Sequence, residues 1–335
     1  MSEFRVDKIT NRTGDTGPQI CGVSTFSGTS GMAMPIGPTE HRGGRGRGIF
    51  GPGTMAPANV NTLNYITIAT TGNAKDFGDA TYGTSYRGGL ASSTRGIIAN
   101  GQSDTTYDYV TISSQGGASI FGEAATDHVG GATFNNPVKG FNAGGSDPSM
   151  TSNIRGMVIA STGSFYDAGD LTLIGTYQNG ASSPTRGIIF GGTNPGGTIL
   201  YNNIDVFTMA TGGNSIKFGE LITARKYVDT AGNSIRALAA GGEGSPAVVN
   251  LIEYVTIATE GNGTDFGDLI NANGTGTSGV VSSATRGVFG TSNPARNDDI
   301  EYVTIATTGD AIDFGDLTEN IMYTGGCSDS NGGLG

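Results

Sequence analysis

The sequence has no Trp, only two Cys and two His in 335 residues, and no long apolar run. The histidines, His41 and His128, join no Cys/His cluster with the spacing of zinc ligands and complete no Ser/His/Asp set. We therefore expect no cofactor, no metal and no enzymatic activity. No window approaches the roughly 18 apolar residues of a membrane-spanning helix. The N-terminal residues also lack the apolar core of a signal peptide, so we expect neither membrane insertion nor secretion by the host.

The two cysteines, Cys21 and Cys327, lie near opposite ends of the chain and cannot form a disulfide framework. Two free thiols acting as small apolar residues are the simpler expectation. A Cys21–Cys327 bridge stays open as an alternative, since it requires only that the two ends of the chain meet.

Charge is sparse and unevenly distributed along the chain. Only 14% of residues are charged, and the net charge is −11. Residues 1–47 contain six basic and four acidic residues, so the remainder contains 12 basic and 25 acidic ones. An acidic body repels phosphate backbones, which argues against binding to nucleic acid.

Glycine is abundant, at 59 of 335 residues, and it separates short apolar and β-branched runs. There is no Gly-X-Y period, which excludes collagen, and there are no helical heptads. The composition predicts an all-β protein.

A repeat of 44–50 residues covers most of the chain. Its clearest copies are YITIATTGNAKDFGDA from Tyr65, YVTIATEGNGTDFGDL from Tyr254 and YVTIATTGDAIDFGDL from Tyr302. A basic residue opens each of six units and a Gly–acid pair follows the repeated phrase. The basic openers are Arg47, Arg95, Lys139, Arg186, Arg236 and Arg286. The acids of the pairs are Asp79, Glu123, Asp170, Glu220, Asp268 and Asp316.

Each unit reads as four short strands, which is the content of one propeller blade. The sequence therefore predicts a six-bladed, kelch-like β-propeller over residues 47–335, with blades beginning near 47, 95, 139, 186, 236 and 286. A trimeric fibre of β repeats is the competing architecture. Because the last unit carries its own second and third strands, we expect the ring to close without exchange of a strand.

Residues 1–46 do not belong to the repeat and contain too little apolar sequence to fold alone. They run into the Gly/Arg-rich segment GGRGRG at Gly43–Gly48, which follows no strand of a parallel sheet and opens no helix, so it is not a nucleotide-binding loop. We interpret this segment as an N-terminal anchoring arm with a linker. An arm wrapped along its own propeller is the alternative.

The arm sequence VDKITNRTG…GVSTFSGTSGM and the repeated RGIIFGG…IEYVTIATTGN…DFGDL resemble virion structural proteins of tailed marine phages, especially cyanophages. The resemblance covers essentially the whole chain. It implies a virion component made in the host cytoplasm, such as a tail, tail-fibre, neck or capsid-decoration appendage. The implied partners are other virion proteins, contacted through residues 1–46, and further copies of the chain, with a trimer as the working assumption.

Two sets of repeated residues are candidates for a role. The Gly–acid pairs could bind calcium, but one or two carboxylates per blade supply too few oxygens, so a structural role at a strand end or beside a basic opener is preferred. The basic openers would form a ring at the channel mouth, suited to an anionic sugar, if they lie on innermost strands. Ion pairs that join blades are the preferred alternative. The repeated tyrosines, such as Tyr65 and Tyr254, are expected to pack between blades.

A ligand site is expected on loops that differ between blades. The candidate loops are Thr54–Val60, Gly144–Met150 and Thr193–Ile199. The expected function is an outward-facing structural component of the virion. A receptor-binding adhesin that recognises host-surface glycans is the alternative, and a glycan-degrading enzyme is a distant one.

Overall fold

The computed structural model describes residues 19–20, 24–25 and 46–330, except 56, 100, 103, 127–128, 148, 164, 275–278 and 291–297. The chain divides into two units, Met1–Pro38 and Thr39–Gly335. In the first unit the described residues form one short hairpin, Gln19–Ile20 with Ser24–Thr25. The rest of the predicted arm, with Cys21 and His41, lies outside the described residues, as does His128. The boundary expected at residue 46 therefore stays a prediction.

Six antiparallel sheets of four strands make up the second unit, and the described residues contain no helix. The strands are named inner, second, third and outer, in the order in which they pair within each sheet. Blade 1 consists of Gly326–Ser328, Arg47–Phe50, Thr62–Thr67 and Lys75–Asp79. Blade 2 consists of Gly89–Ala91, Arg95–Ile98, Thr106–Thr111 and Ser119–Glu123. Blade 3 consists of Ala132–Asn135, Lys139–Ala143, Asn153–Val158 and Phe165–Asp170.

The second half of the ring repeats this arrangement. Blade 4 consists of Asn179–Ser182, Arg186–Phe190, Asn203–Thr208 and Ile216–Glu220. Blade 5 consists of Asp229–Gly232, Arg236–Ala240, Leu251–Thr256 and Thr264–Asp268. Blade 6 consists of Val280–Ser282, Arg286–Gly290, Asp299–Thr304 and Ile312–Asp316. Two small hairpins extend from the second-to-third connections: Gly53–Met55 with Ala58–Val60, and Ser146–Asp147 with Ser149–Met150.

The six inner strands contact one another in a closed circle, so they surround the axis of the ring. The predicted six-bladed β-propeller is confirmed. Between the blades lie apolar clusters that each draw on two neighbouring sheets, as where Leu63 and Phe77 of blade 1 meet Val110 of blade 2. Burying such a side chain contributes about 1.5–3 kcal/mol, so the ring is held mainly by blade-to-blade packing.

The expectation about ring closure is wrong. The strand that ends each sequence repeat pairs with the strand after it and is the inner strand of the next blade. Gly326–Ser328 therefore completes blade 1 by pairing with Arg47–Phe50. The Arg47 amide donates to Asp329 Oδ1 at 2.8 Å, and the Asp329 amide donates to the Arg47 carbonyl at 3.2 Å. The sequence repeat begins at the basic residue, which is the first residue of the second strand. Each repeat therefore starts between the inner and second strands of a sheet, and its boundary differs from that of the blade.

The other blades make the same turn within one continuous chain. There a Ser or Asn side chain accepts the amide of the basic opener, as Ser183 does for Arg186 at 3.1 Å and Asn233 does for Arg236 at 2.9 Å. Asp329 thus takes the place of this turn residue across the chain break. Its neighbour Cys327 is a buried free thiol, and burial raises the pKa of Cys327 to about 12.

The two faces of the ring differ because each sheet is an antiparallel meander. The short-turn face carries the inner-to-second and third-to-outer turns, such as 92–94 and 112–118. The loop face carries the second-to-third connections and those from each outer strand to the next inner strand, such as 191–202 and 171–178. Gly46 precedes the second strand of blade 1, and Ile68 donates its amide to the Gly46 carbonyl at 2.7 Å. The chain therefore enters the ring on the short-turn face. Among the described residues, no helix could cross a membrane.

Candidate functional site

The basic openers stand at the first residue of each second strand, on the short-turn face. A basic ring at the channel mouth would require these residues to lie on the innermost strands. They lie instead on the second strands, one position further from the axis, so this expectation is wrong.

The guanidinium groups join neighbouring blades. Arg236 Nη1 donates to the carbonyls of Ile305 and Ala306 in the next blade, at 3.0 Å each. Its guanidinium lies 4.4 Å from the ring centroid of Tyr254 in its own blade. Five arginines donate to the next blade in the same way: Arg47, Arg95, Arg186, Arg236 and Arg286. The five arginines therefore join blades, as preferred from the sequence, but the acceptors of these bonds are carbonyl oxygens and not the expected carboxylates.

The double substitution Arg186→Ala and Arg286→Ala is expected to lower the melting temperature, because each change removes charge-assisted hydrogen bonds worth about 1.5–3 kcal/mol. Arg→Lys at both positions keeps the charges, so it is the matched control and should recover part of the loss. Differential scanning calorimetry measures the melting, and titration with dextran sulfate measures anion binding. If the Ala pair abolishes anion binding and leaves melting unchanged, the structural interpretation is wrong.

The Gly–acid pairs lie at the ends of the outer strands, against the third-to-outer turn of the next blade. Gly309 and Ala311 of blade 6 donate their amides to Phe266 and Asp268 of blade 5, at 2.7 and 2.8 Å. The Asp268 amide in turn donates to Asp310 Oδ1 at 3.0 Å. The outer strand of one blade is thus covered by the next blade, so the free edges of the sheets are protected.

The carboxylates of the pairs make separate contacts that vary from blade to blade. Ser152 donates to Asp170 at 3.0 Å, Lys217 to Glu220 at 2.6 Å, and Asn73 to Asp316 at 3.0 Å. Their positions repeat because the backbone there repeats, and ion pairs with the basic openers are not what holds them.

A third set of repeated residues was missed in the sequence. The third residue of every third strand is polar and buried: Asn64, Asp108, Arg155, Asp205, Glu253 and Glu301. Alternation of apolar and polar residues along a strand predicts that the polar ones face solvent. The pattern does not show that neighbouring blades cover both faces of each sheet. The only signal available was that this one position is polar in all six units.

These side chains bind the connection that leads from the previous blade. Asp205 accepts both the amide and the hydroxyl of Thr172, at 2.9 and 2.7 Å. Glu253 accepts only the amide of Ile222, at 2.8 Å. Shorter Asp or Asn side chains face Thr, whereas longer Glu side chains face Ile. In blade 3 the long Arg155 also faces a Thr, since its guanidinium donates to the carbonyl and hydroxyl oxygens of Thr126.

Two buried glutamates at this position differ in their partners. Glu253 lies 2.7 Å from Arg225, whereas Glu301 receives the Ile270 amide at 2.7 Å and a backbone bond from Asn271, with no cation beside it among the described residues. Burial raises the pKa of Glu301 from 4.5 to about 7. The folded protein therefore retains a proton that the unfolded chain releases between these values.

The contribution of Glu301 to the free energy of unfolding is expected to fall as the pH rises from 4.5 to 7, by about 3 kcal/mol. Glu301→Gln keeps the acceptor for Ile270 and cannot ionise, so its stability relative to the parent should rise by that amount over this pH range. Urea unfolding at a series of pH values measures the difference. Glu260→Gln removes one exposed charge and is the control. A pH-independent difference for Glu301→Gln would contradict the assignment.

Four tyrosines surround the axis on the loop face, each two or three residues before the inner strand begins. Tyr86, Tyr177, Tyr227 and Tyr323 all have left-handed backbones, with φ between 56° and 60°. The equivalent residue of blade 3 is Gly130, with φ 67°. The backbone also links successive blades here, since Tyr227 donates to Tyr177, Tyr177 to Gly130 and Tyr86 to Tyr323, at 2.7–3.0 Å. A left-handed backbone costs roughly 1–2 kcal/mol at a non-glycine residue.

The four tyrosine rings, called here the axial tyrosines, pack together at the end of the central channel. Ring centroids are 4.5 Å apart for Tyr86 and Tyr323, 4.3 Å for Tyr177 and Tyr227, and 5.8 Å for Tyr86 and Tyr177. Below them is a cavity of about 90 Å³ lined mainly by Gly, Ala, Ser, Thr and Asn of the inner strands. Burial raises the pKa of Tyr86 and of Tyr227, so both phenols are neutral hydrogen-bond donors near neutral pH.

The loops selected from the sequence lie on the same face as the axial tyrosines. Thr54–Val60, Gly144–Met150 and Thr193–Ile199 all belong to second-to-third connections, in blades 1, 3 and 4. This face also exposes large apolar side chains on its connections: Tyr82, Ile174, Ile199, Ile222 and Ile270. The structure thus places aromatic, apolar and variable polar groups together on one face.

One group of described residues has the spacing of a cation site. Single carboxylate oxygens of Asp298, Asp299 and Asp316 lie within 4.8 Å of one another. The three oxygens with this spacing, one from each carboxylate, are fewer than the six to eight that calcium takes, and Asp316 also accepts a hydrogen bond from Asn73. Compared with known proteins, the sequence matches no family model and no curated protein.

Proposed function

We propose that this chain is a structural component of a phage virion, in which residues 1–46 attach to the particle and the propeller displays its loop face outward. The observation that carries the proposal is that the point where the chain enters the ring and the connections that vary between blades lie on opposite faces. The chain enters at Gly46 on the short-turn face, whereas the connections that differ between blades lie on the loop face.

Charge and sequence resemblance support the same arrangement. The segment before the ring is weakly basic and the ring is strongly acidic, so the two parts have net charges of opposite sign. The arm and repeat phrases resemble virion proteins of tailed marine phages. Extensive packing between blades makes the ring a rigid carrier for loops, in keeping with a displayed module.

Gold labelling of intact particles with an antibody against residues 47–335 tests this proposal. Gold on the tail, neck, fibre or capsid supports it, and a chain lacking residues 1–46 should then fail to join particles. Absence of gold from every particle would contradict the virion assignment.

A second candidate function is recognition of cell-surface glycans by the loop face. The clustering of axial tyrosines and variable loops on the face away from Gly46 favours it. Co-sedimentation of the full chain with candidate host cells, before and after periodate oxidation of their glycans, tests this function. Binding that survives oxidation unchanged would contradict it. We propose no enzymatic activity.

A further inference from the structure

The axial tyrosines occupy a backbone conformation that suits glycine better. All four have φ near +60°, and Gly130 holds the same place in blade 3. Side chains are uncommon in this conformation, and strained residues of this kind cluster at functional sites. Four phenol rings at such positions therefore call for an explanation beyond chain geometry.

The arrangement of the rings leaves part of each phenol open to solvent. Tyr86, Tyr177 and Tyr323 are half-buried, and Tyr227 is just buried, at 9% exposed. The rings lie against one another and do not enclose an empty volume of the kind that cages an ammonium group. The phenol hydroxyls hydrogen-bond one another, Tyr86 with Tyr323 and Tyr227, and Tyr227 with Tyr177, so a ligand at the centre of the loop face would meet this hydrogen-bonded cluster.

The charges next to the axial tyrosines are already paired. Arg87, beside Tyr86, contacts Asp104 and Asp108, and Arg225 contacts Glu253. Lys226 lies 3.2 Å from Glu243, and its ammonium is 5.1 Å from the Tyr227 ring centroid. These arginines are committed to buried carboxylates, so they do not serve an anionic ligand. The Lys226 ammonium beside the ring disfavours a cationic ligand.

We propose that the axial tyrosines form the central binding site for a neutral saccharide. One face of a pyranose ring is apolar and stacks on aromatic rings, while its hydroxyls match the donor and acceptor capacity of neutral phenols. The variable loops around the site would set the choice of sugar. This inference deepens the second candidate function and is independent of particle attachment, because the isolated chain can be tested.

The experiment measures binding of neutral hexasaccharides to the full chain. Cellohexaose, maltohexaose and mannohexaose are the neutral probes, and dextran sulfate is the anionic one. The chain has 12 Tyr and no Trp, so its intrinsic fluorescence comes from tyrosine, and the axial tyrosines supply four of the twelve rings. We expect at least one neutral hexasaccharide to bind, with dextran sulfate bound more weakly.

The double variant Tyr177→Gly and Tyr323→Gly removes one ring from each of the two closest pairs and relaxes the backbone. It should weaken saccharide binding about tenfold or more, since a ring contact is worth roughly one factor of ten, and leave the melting temperature largely unchanged. Tyr166→Ala removes an exposed tyrosine on the outer strand of blade 3, away from the loop connections, and should bind like the parent. Tyr177→Phe with Tyr323→Phe keeps the rings and should lose affinity several-fold.

Three outcomes would overturn the assignment. These are no binding of any neutral probe by the parent chain, stronger binding of dextran sulfate than of the neutral probes, and equal binding by parent and variants. If the Gly variant does not fold, the Phe variant decides, and unchanged affinity in it counts against the site. Particle labelling is measured separately, so failure here leaves the virion proposal standing, and the reverse also holds.

Discussion

A chain lacking residues 326–335 is expected to lose the cooperative unfolding transition of the propeller. The deletion removes the inner strand of blade 1, its pairing with Arg47–Phe50, and the buried Cys327 from the core between blades 1 and 2. It also removes Asp329, the acceptor of the Arg47 amide. Because a protein of this kind is stable by only about 5–15 kcal/mol, loss of one strand from a closed ring should consume most of that stability.

Thermal and urea unfolding, followed by circular dichroism, measure this effect. The matched control ends at residue 330 and keeps the inner strand, so it should unfold like the full chain. Addition of a peptide spanning residues 321–335 should restore the transition to the shorter chain, because the strand is not covalently required. A sharp, unshifted transition without residues 326–335 would show that closure does not depend on this strand.

The second large effect is expected from Gly267→Ala in blade 5. A Cβ there would lie 2.5 Å from the carbonyl carbon and oxygen of Gly309 in blade 6, and the backbone has φ 147°. The backbone strain costs about 1–3 kcal/mol and the overlap about as much again, so the total loss should be about 2–5 kcal/mol. Urea unfolding measures it.

Gly309→Ala is the control on the other side of the same contact. Its φ is 154°, yet nothing lies within 4 Å of the added Cβ, so only the backbone cost applies. The difference between the two variants isolates the close approach of neighbouring blades. Equal losses would mean that the turn of blade 6 moves away freely, and the blade-edge contact would then contribute little.

The strand content, blade number and starts of the second strands could be predicted because each blade repeats the same phrase. Arg186 and its equivalents mark second strands in every unit, and the Gly–acid pairs mark outer-strand ends. The pairing across repeats could not be read in this way. A period shows how long a unit is, but it does not show where a sheet begins, so the fourth strand of the last repeat was expected in the last blade, whereas Gly326–Ser328 belongs to blade 1.

The partners of individual side chains were also beyond the sequence. Glu301 occupies a polar position of an alternating strand, as an exposed strand residue would. It is buried because the neighbouring blade covers it. The axial tyrosines share a position that no recurring phrase marks, since Gly130 replaces tyrosine in blade 3. Arginine and acid positions repeat together, which suggested ion pairs, but the twist of each blade brings the arginines to carbonyl groups instead.

Closure by the last inner strand has a consequence for the order of events during synthesis. Arg47 and Asp329 are 282 residues apart, so their contact forms only after nearly the whole chain has left the ribosome. Blades 2 to 6 can pair their strands as they emerge, whereas blade 1 waits with three strands and one open edge. Contacts of such long sequence separation form slowly, and an open strand edge invites pairing with other chains. The late step of folding is therefore also the step at which newly made chains are most exposed to misassembly.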